Sequence, residues 1–378
     1  MKTLSCSISE ENLDQKLDEI QAINPNFLCL FFASSEVKQG TNLSLIAERF
    51  PDATVIGCST AGEISESQIS DDTISVLAIH FDKVTLDCAK QSVEKSSDSY
   101  DSARTVGLEL KKDDLKALLV LSPGLNINGS DVTRGLSDAV GPKVVVFGGL
   151  AGDGVDFKET FTLLNAQPSH NEIVAVGFYG ESFKIATGSK GGWSPFGPAR
   201  RVTKSDDNIL YELDGKPALD LYKEYLGDKA EDLPASGLFY PFSILKEDHS
   251  QSGLIRTILD VNHEDKSLTL AGNLPTGSFV CLMHADIDEL IEGAEGAARD
   301  SRIDDSAGDS AAFLVSCVGR RIVMSDDAVE EVEAVKNILS ENTSIAGFYS
   351  YGEISPFEIT DKTELHNQTM TVAYITET

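Results

Sequence analysis

Gly57-Cys58-Ser59-Thr60-Ala61-Gly62-Glu63-Ile64-Ser65 follows the β-branched run Thr54, Val55 and Ile56, and so reads as a loop leaving the end of a buried strand. Its two glycines allow positive φ or close backbone approach, and a thiol, two hydroxyls and a carboxylate lie between and after them. Near the far end the pattern returns as Gly347-Phe348-Tyr349-Ser350-Tyr351-Gly352-Glu353-Ile354-Ser355, with the same glycine spacing and the same Glu-Ile-Ser tail. A looser version is Val144-Val145-Val146-Phe147-Gly148-Gly149-Leu150-Ala151-Gly152-Asp153. A strand, a small-residue loop and an acid thus occur three times.

Outward from the first loop, Phe27-Leu28-Cys29-Leu30-Phe31-Phe32 is a continuous apolar run, as expected of a strand covered on both faces. Ser7 and Glu10 have the spacing of a capping box ahead of Leu13, Leu17, Ile20 and Ile23 at helical period, and Leu43 to Phe50 is a second amphipathic segment. The chain therefore opens as helix, strand, helix, strand. Thr73 to Phe81 and Val84 to Lys90 are strand-like, and the short Asp82-Lys83 connection suggests a hairpin. Comparing 27–64 with 117–153, each reads strand, helix, strand, glycine loop and acid, which implies an internal duplication in the first half. The breaker-rich Gly191-Gly192-Trp193-Ser194-Pro195-Phe196-Gly197-Pro198 places a junction there. The fold class expected is α/β to α+β: mixed sheets with flanking helices, in two domains, 1–190 and 191–378.

Length fits this division, since 378 residues exceed one simple core. The 61 acids against 31 bases give a net charge of −30, which repels phosphate backbones and anionic lipid, so nucleic acid and membrane surfaces are poor partners. Neither a signal-peptide pattern nor an apolar run of membrane length occurs, and six scattered cysteines carry no C-x-x-C pair. A cytoplasmic protein with reduced thiols is expected.

Several chemistries are open to loops of this composition. A nucleophile elbow needs G-x-S-x-G and a helix directly after it, whereas here the closing position is Ala61 and Gly62-Glu63-Ile64-Ser65 starts no helix. Gly149-Leu150-Ala151-Gly152-Asp153-Gly154 has its glycines in the wrong order for a dinucleotide loop, and Asp153 and Asp156 repel phosphate. The six histidines form no metal-ligand spacing, so no metal is expected. A small-molecule pocket remains. In it Gly62, Gly149, Gly152 and Gly352 let the backbone approach a ligand, and Ser59, Thr60, Tyr349, Ser350 and Tyr351 offer neutral hydrogen bonds. Glu63, Asp153 and Glu353 either pair a ligand cation or brace their own loops. Arg320 and Arg321 either receive a carboxylate or pair with surface acids. Cys58 belongs to the same expected pocket, and without a basic neighbour in sequence its thiol reads as inert.

These motifs resemble a known family. The loop Gly57 to Glu63 resembles the signature of the FIST N domain. Gly347 to Pro356 followed by Leu365-His366-Asn367-Gln368-Thr369 resembles the end of the FIST C domain, with support from Phe147 to Asp153, Cys317-Val318-Gly319-Arg320 and Leu268 to Pro275. The resemblance implies a cytoplasmic sensor that binds a small ligand, amino acid-like or haem with nitric oxide, and signals to a separate partner such as a histidine kinase. In the haem case His366 is the candidate axial ligand, its alternative being a hydrogen-bonding core histidine. An enzyme using Cys58 or Ser59 as nucleophile is the alternative class.

Overall fold

The computed structural model describes residues 1–378 apart from 40, 166, 304–307 and 358–361. One unit recurs three times: strand, helix, strand, helical segment, strand, a short hairpin and a closing strand. The first copy is β1 (Lys2–Ile8), α1 (Leu13–Ala22), β2 (Phe27–Phe32), α2 (Ser34–Gln39), α3 (Thr41–Arg49), β3 (Thr54–Ser59), β4 (Glu63–Ser65), β5 (Gln68–Ser70) and β6 (Ile74–His80). The second is β7 (Thr85–Ser92), α4 (Ser99–Leu110), β8 (Leu115–Ser122), α5 (Gly129–Val140), β9 (Val145–Leu150), β10 (Thr162–Leu164), β11 (Gln167–Ser169) and β12 (Glu172–Tyr179).

The third opens with β13 (Phe183–Lys190) and is interrupted by an insertion. That segment holds β14 (Ser194–Pro195), β15 (Arg200–Asp206), β16 (Ile209–Leu213), β17 (Lys216–Pro217), α6 (Ala218–Leu226), β18 (Phe242–Leu245), β19 (Gln251–Arg256), β20 (Ile258–Val261), β21 (Leu268–Leu270) and β22 (Phe279–His284). The copy resumes as α7 (Ile287–Asp300), β23 (Ser310–Cys317), α8 (Val318–Met324), α9 (Ala328–Ile338), β24 (Thr343–Ser350), β25 (Gly352–Phe357), β26 (Lys362–His366) and β27 (Met370–Glu377). The duplication expected within the first half is therefore present and extends to a third copy.

The sheets repeat the same order: β1-β6-β2-β3-β10-β11, β7-β12-β8-β9-β25-β26 and β13-β27-β23-β24-β4-β5. Each has one parallel pair at its centre (β2 with β3, β8 with β9, β23 with β24) and antiparallel strands around it. The hairpin of each copy leaves its own sheet and completes another, so β4 joins β24, β10 joins β3 and β25 joins β9. Strands from both halves of the chain thus share sheets.

Alternation along the central strands explains the assembly. Phe27, Cys29 and Phe31, then Ala117, Leu119 and Leu121, then Ala311, Phe313 and Val315 face one common core. The intervening Leu28 and Leu30 pack beneath α1 and α3, Leu118 and Val120 beneath α4 and α5, and Ala312 and Leu314 beneath α7 and α9. Both faces are dry, which is why these runs read as continuously apolar. Phenylalanines from the three sheets meet at the centre: Phe27 lies 5.6 Å from Phe178 and 6.4 Å from Phe313, and Phe147 lies 5.5 Å from Phe313. Each fully buried ring contributes about 2–3 kcal/mol. Gly57, Gly148 and Gly347 occupy matching positions, where an added Cβ would stand 2.4, 1.9 and 1.9 Å from the carbonyl oxygens of Leu30, Val120 and Leu314. Glycine is required there by the parallel neighbour.

Two local expectations are corrected. Ser7 belongs to β1 and not to a capping box; Asn12, before α1, makes no side-chain cap, and its Oδ1 accepts from Ser9 N at 2.9 Å. Nor do β6 and β7 form a hairpin. β6 pairs with β1 and β2 while β7 pairs with β12, so Asp82-Lys83 carries the chain from one sheet to the next. The inserted sheet, β19-β18-β22-β15-β16-β21-β20, has its own core around Val202, Leu210, Tyr222, Phe242 and Leu282.

Candidate functional site in the cleft beneath the inserted sheet

The three loops found in sequence meet at one end of the body, where the parallel strands terminate. Ala61 N donates to Tyr349 O at 2.8 Å, Tyr349 N to Gly62 O at 2.9 Å, Gly152 N to Ser59 O at 2.9 Å, and Gly154 N to Thr60 O at 3.1 Å. Gly152 is needed for this approach, since a Cβ on it would lie 2.8 Å from Ala61 N.

Most side chains singled out in the loops turn inward and hold them. Cys58 is fully buried in the central core, and desolvation pushes its thiol well above the usual range. Ser59 Oγ accepts from Phe161 N at 2.8 Å. Neither has the exposure a nucleophile needs. Glu63 accepts from Thr60 Oγ1 at 2.5 Å and from Thr73 N at 3.2 Å; Glu353 accepts from Ser350 Oγ at 2.9 Å and Thr369 N at 3.1 Å. The bracing alternative holds for both glutamates. Burial raises their pKa to about 7 and about 8 respectively, against the opposing hydrogen bonds.

Asp153, in the looser motif, is not their counterpart. By strand register that position falls to Thr162, opposite Cys58, while Glu63 lies opposite Phe348 and Glu353 opposite Gly149. The Asp153 carboxylate accepts from the amides of Phe157, Lys158 and Glu159 and from the Tyr351 phenol, shaping the 154–161 loop. Gly149 and Gly352 sit within the β25–β9 pairing.

The arginines brace as well. Arg320, fully buried, pairs with Glu331 at 2.7 Å and donates to Leu290 O at 2.8 Å and to Gly191 O. Tyr349, also fully buried, donates to the same Glu331 at 2.8 Å. Arg321 clamps the first loop by donating to Ala61 O at 2.6 Å and Asp71 at 2.8 Å. His366 is buried, with Nε2 3.2 Å from Ser355 O and Nδ1 3.2 Å from Ser189 Oγ. Both ring nitrogens are engaged, the first donating to a carbonyl, and burial lowers its pKa to about 4. It offers no free lone pair for an iron, so the residues present do not fit a haem held through His366.

Of the residues expected to bind a ligand, Tyr351 alone lines the cleft found here. This cavity of about 760 Å³ lies between the strand ends and the inserted sheet. Gly124, Leu125 and Ile127 after β8, Leu150 at the end of β9, Cys317 at the end of β23, and Val318 and Ile322 of α8 form one side. Leu238, Thr257, Ile258 and Leu270 of the insertion form the other, and Val155 and Phe157 close an edge. Phe157 stacks on Tyr351 with ring centroids 4.4 Å apart. Such a place, beyond the carboxyl ends of parallel strands, is where open α/β sheets take ligands. Asn367 lines it too, is 1% exposed, and neither its Oδ1 nor its Nδ2 has a hydrogen-bond partner; the Thr257 hydroxyl is likewise unpaired. Neither was singled out from sequence, although Asn367 stands in the quoted Leu365 to Thr369 stretch. Its signal was a run of polar residues between two strands with no turn glycine. Among the described residues, no group of three or more His, Cys, Asp or Glu could hold a metal ion.

The chain falls in a recognised class of domain associated with sensing. Residues 27–216 match the FIST N domain and residues 218–356 the FIST C domain, so the chain belongs to the FIST family, whose domains are associated with sensing in signal transduction. An uncharacterized protein of Methanocaldococcus jannaschii is 23% identical in an alignment 354 positions long that covers 81% of this chain and 65% of that protein. The chain thus spans somewhat less than two thirds of that relative's length. The crystal structure of cyanuric acid hydrolase from A. caulinodans aligns over 100% of this chain and 99% of that one, with a TM-score of 0.36 and 7% identity. That likeness is too slight to bear on fold or activity. No helix among the described residues is long and apolar enough to cross a membrane.

Proposed function

We propose that the protein is a cytoplasmic sensor in which a small molecule occupies the cleft beneath the inserted sheet and alters how that sheet rests on the three-sheet body. The changed surface is read by a separate signalling partner, of which a histidine kinase is the class the family suggests. The observation that carries this reading is the cleft itself. It is mostly apolar, of ligand size, and lined from both bodies by buried polar groups without partners. The bodies meet through apolar packing of Ile255 and Met283 against the core beneath α7 and α9, and through polar contacts. Asn128 donates to Asn273 at 3.0 Å, Ser130 Oγ accepts from Asn273 N at 3.1 Å, Arg256 Nη1 donates to Leu365 O at 3.2 Å, and Gln368 donates to Leu238 O at 3.1 Å.

A thermal-shift screen against amino acids and small heterocycles tests this, run in parallel on Ile322→Trp, which fills the cleft. Binding at the cleft stabilises the parent chain and leaves the filled variant unmoved. If no compound stabilises either chain, or if every hit stabilises both equally, the reading fails.

A further inference from the structure

We infer that the ligand of this cleft is a neutral molecule presenting a cis-amide edge, a carbonyl oxygen beside an N–H, on a flat apolar body, and that Asn367 reads that edge. This rests on the cleft being a ligand site, as proposed above. The amide of Asn367 provides one acceptor and one donor side by side, both out of contact with water and both unmatched by protein. Buried polar atoms in folded proteins are nearly always hydrogen-bonded, so an amide with both ends unmet is a recognition group awaiting a partner. Its complement is another amide-type edge, as found in lactams, cyclic imides and carboxamides, in which a carbonyl faces Nδ2 and an N–H faces Oδ1. Thr257 supplies one more unpaired hydroxyl from the opposite wall.

Charge narrows the class further. Among the described residues lining the cleft none is Lys, Arg or His, and the one charged group, Asp260, is exposed. The nearest cation, the buried Arg256 guanidinium behind Gly272, is committed to the carbonyls of Ile255, Asn273 and Leu365 and does not line the cleft, which disfavours a zwitterionic amino acid and the propionates of a haem. Leu125, Leu238, Ile258 and Ile322 instead offer apolar surface to a ring.

Isothermal titration with 2-piperidone, glutarimide and 2-quinolone, each beside its N-methyl derivative, and with L-tryptophan as a zwitterion of similar bulk, tests the inference. The expected result is that at least one parent compound binds, about tenfold or more tighter than its N-methyl form, while tryptophan gives no heat. In Asn367→Leu the parent and N-methyl forms become equal. Asn367→Asp, which keeps the shape and loses the donor, weakens the parent compounds by about tenfold, and serves if the leucine variant does not fold. Equal affinity of parent and N-methyl forms, tryptophan binding as tightly as any lactam, or no binding by the whole series overturns the inference. The sensor reading survives each of these if other compounds in the screen still give stabilisation that Ile322→Trp abolishes.

Discussion

The Ser350 hydroxyl donates to the Glu353 carboxylate at 2.9 Å, and Thr60 stands in the same relation to Glu63. The second oxygen of each carboxylate accepts from a threonine amide and hydroxyl, Thr369 in one copy and Thr73 in the other. Two loops nearly three hundred residues apart in sequence thus use one device. Each buried acid ties the start of a swapped hairpin to the turn before the closing strand. Each glutamate stabilises the exchange between sheets, which accounts for the shared Glu-Ile-Ser tail without a ligand.

The same carboxylates give the protein a pH dependence. Their folded pKa values, about 7 and about 8, lie above the ordinary value of 4.5 because burial disfavours the charge. Between about pH 4.5 and 8 the folded state therefore binds more protons than the unfolded one, and stability falls as pH rises. Their contribution is fully present below the unfolded value and is lost above the folded one, on the order of 3 kcal/mol for Glu63 and about 5 kcal/mol for Glu353. Urea unfolding at pH 5 and pH 9 checks this. The double variant Glu63→Gln, Glu353→Gln, which mimics the protonated acids, is expected to lose less stability over that range than the parent chain. Parallel pH slopes would rule the mechanism out.

Arg320 and Glu331 make an ion pair with neither side chain exposed. Removing one partner leaves the other charge buried and unpaired, so Arg320→Met is expected to cost about 3–5 kcal/mol. Replacing both, as Arg320→Met with Glu331→Leu, is expected to be milder than either single change. Equilibrium unfolding of the three variants decides. A small effect of Arg320→Met would mean that the guanidinium is held for a ligand and not for the fold.

The three matching glycines give a test of the repeat. In Gly148→Ala or Gly347→Ala the new methyl would stand 1.9 Å from a carbonyl oxygen of the neighbouring parallel strand. Since neither strand has room to move, the expected loss is about 3 kcal/mol or more. Gly154→Ala is the control: its φ is +73°, but nothing lies within 4 Å of the added carbon. That variant should cost only about 1–2 kcal/mol. Melting temperatures that fail to separate the two kinds of site would contradict the strand register.

Much of this architecture was legible in the chain. Phe27 to Phe32 read as doubly covered because it is, and the helical periods around Leu17 and Leu43 placed helices where they stand. The recurrence of Gly-x4-Gly-Glu left open whether the two loops meet, and they do so through Ala61, Gly62 and Tyr349. Hidden from a linear reading was the exchange of hairpins. β4 looks local to β3 yet pairs with a strand about 280 residues away, and nothing in Glu63-Ile64-Ser65 encodes that partner. Likewise the cleft is built by Leu238, Thr257 and Ile258 against Cys317 and Tyr351, a juxtaposition set by the insertion's docking. The loop residues looked functional because small and polar types are shared by binding loops and by buried braces. Telling them apart needs the partners of each oxygen, which only geometry supplies.

Thiol chemistry separates a buried brace from an active centre. Five of the cysteines (6, 29, 58, 281, 317) are buried and Cys88 is half-exposed. Desolvation is the leading cause of the raised pKa at Cys58, as it is at Cys88. An aromatic disulfide reagent should therefore label the native protein slowly and at Cys88, because the attacking species is the thiolate and access limits the rest. Cys88→Ser is expected to abolish native labelling, and Cys58→Ala to leave it unchanged. Denaturant should then expose the remaining thiols together, in a single step. Fast labelling of Cys58 in the folded protein would mean that its loop opens to solvent, and the nucleophile reading would have to be taken up again.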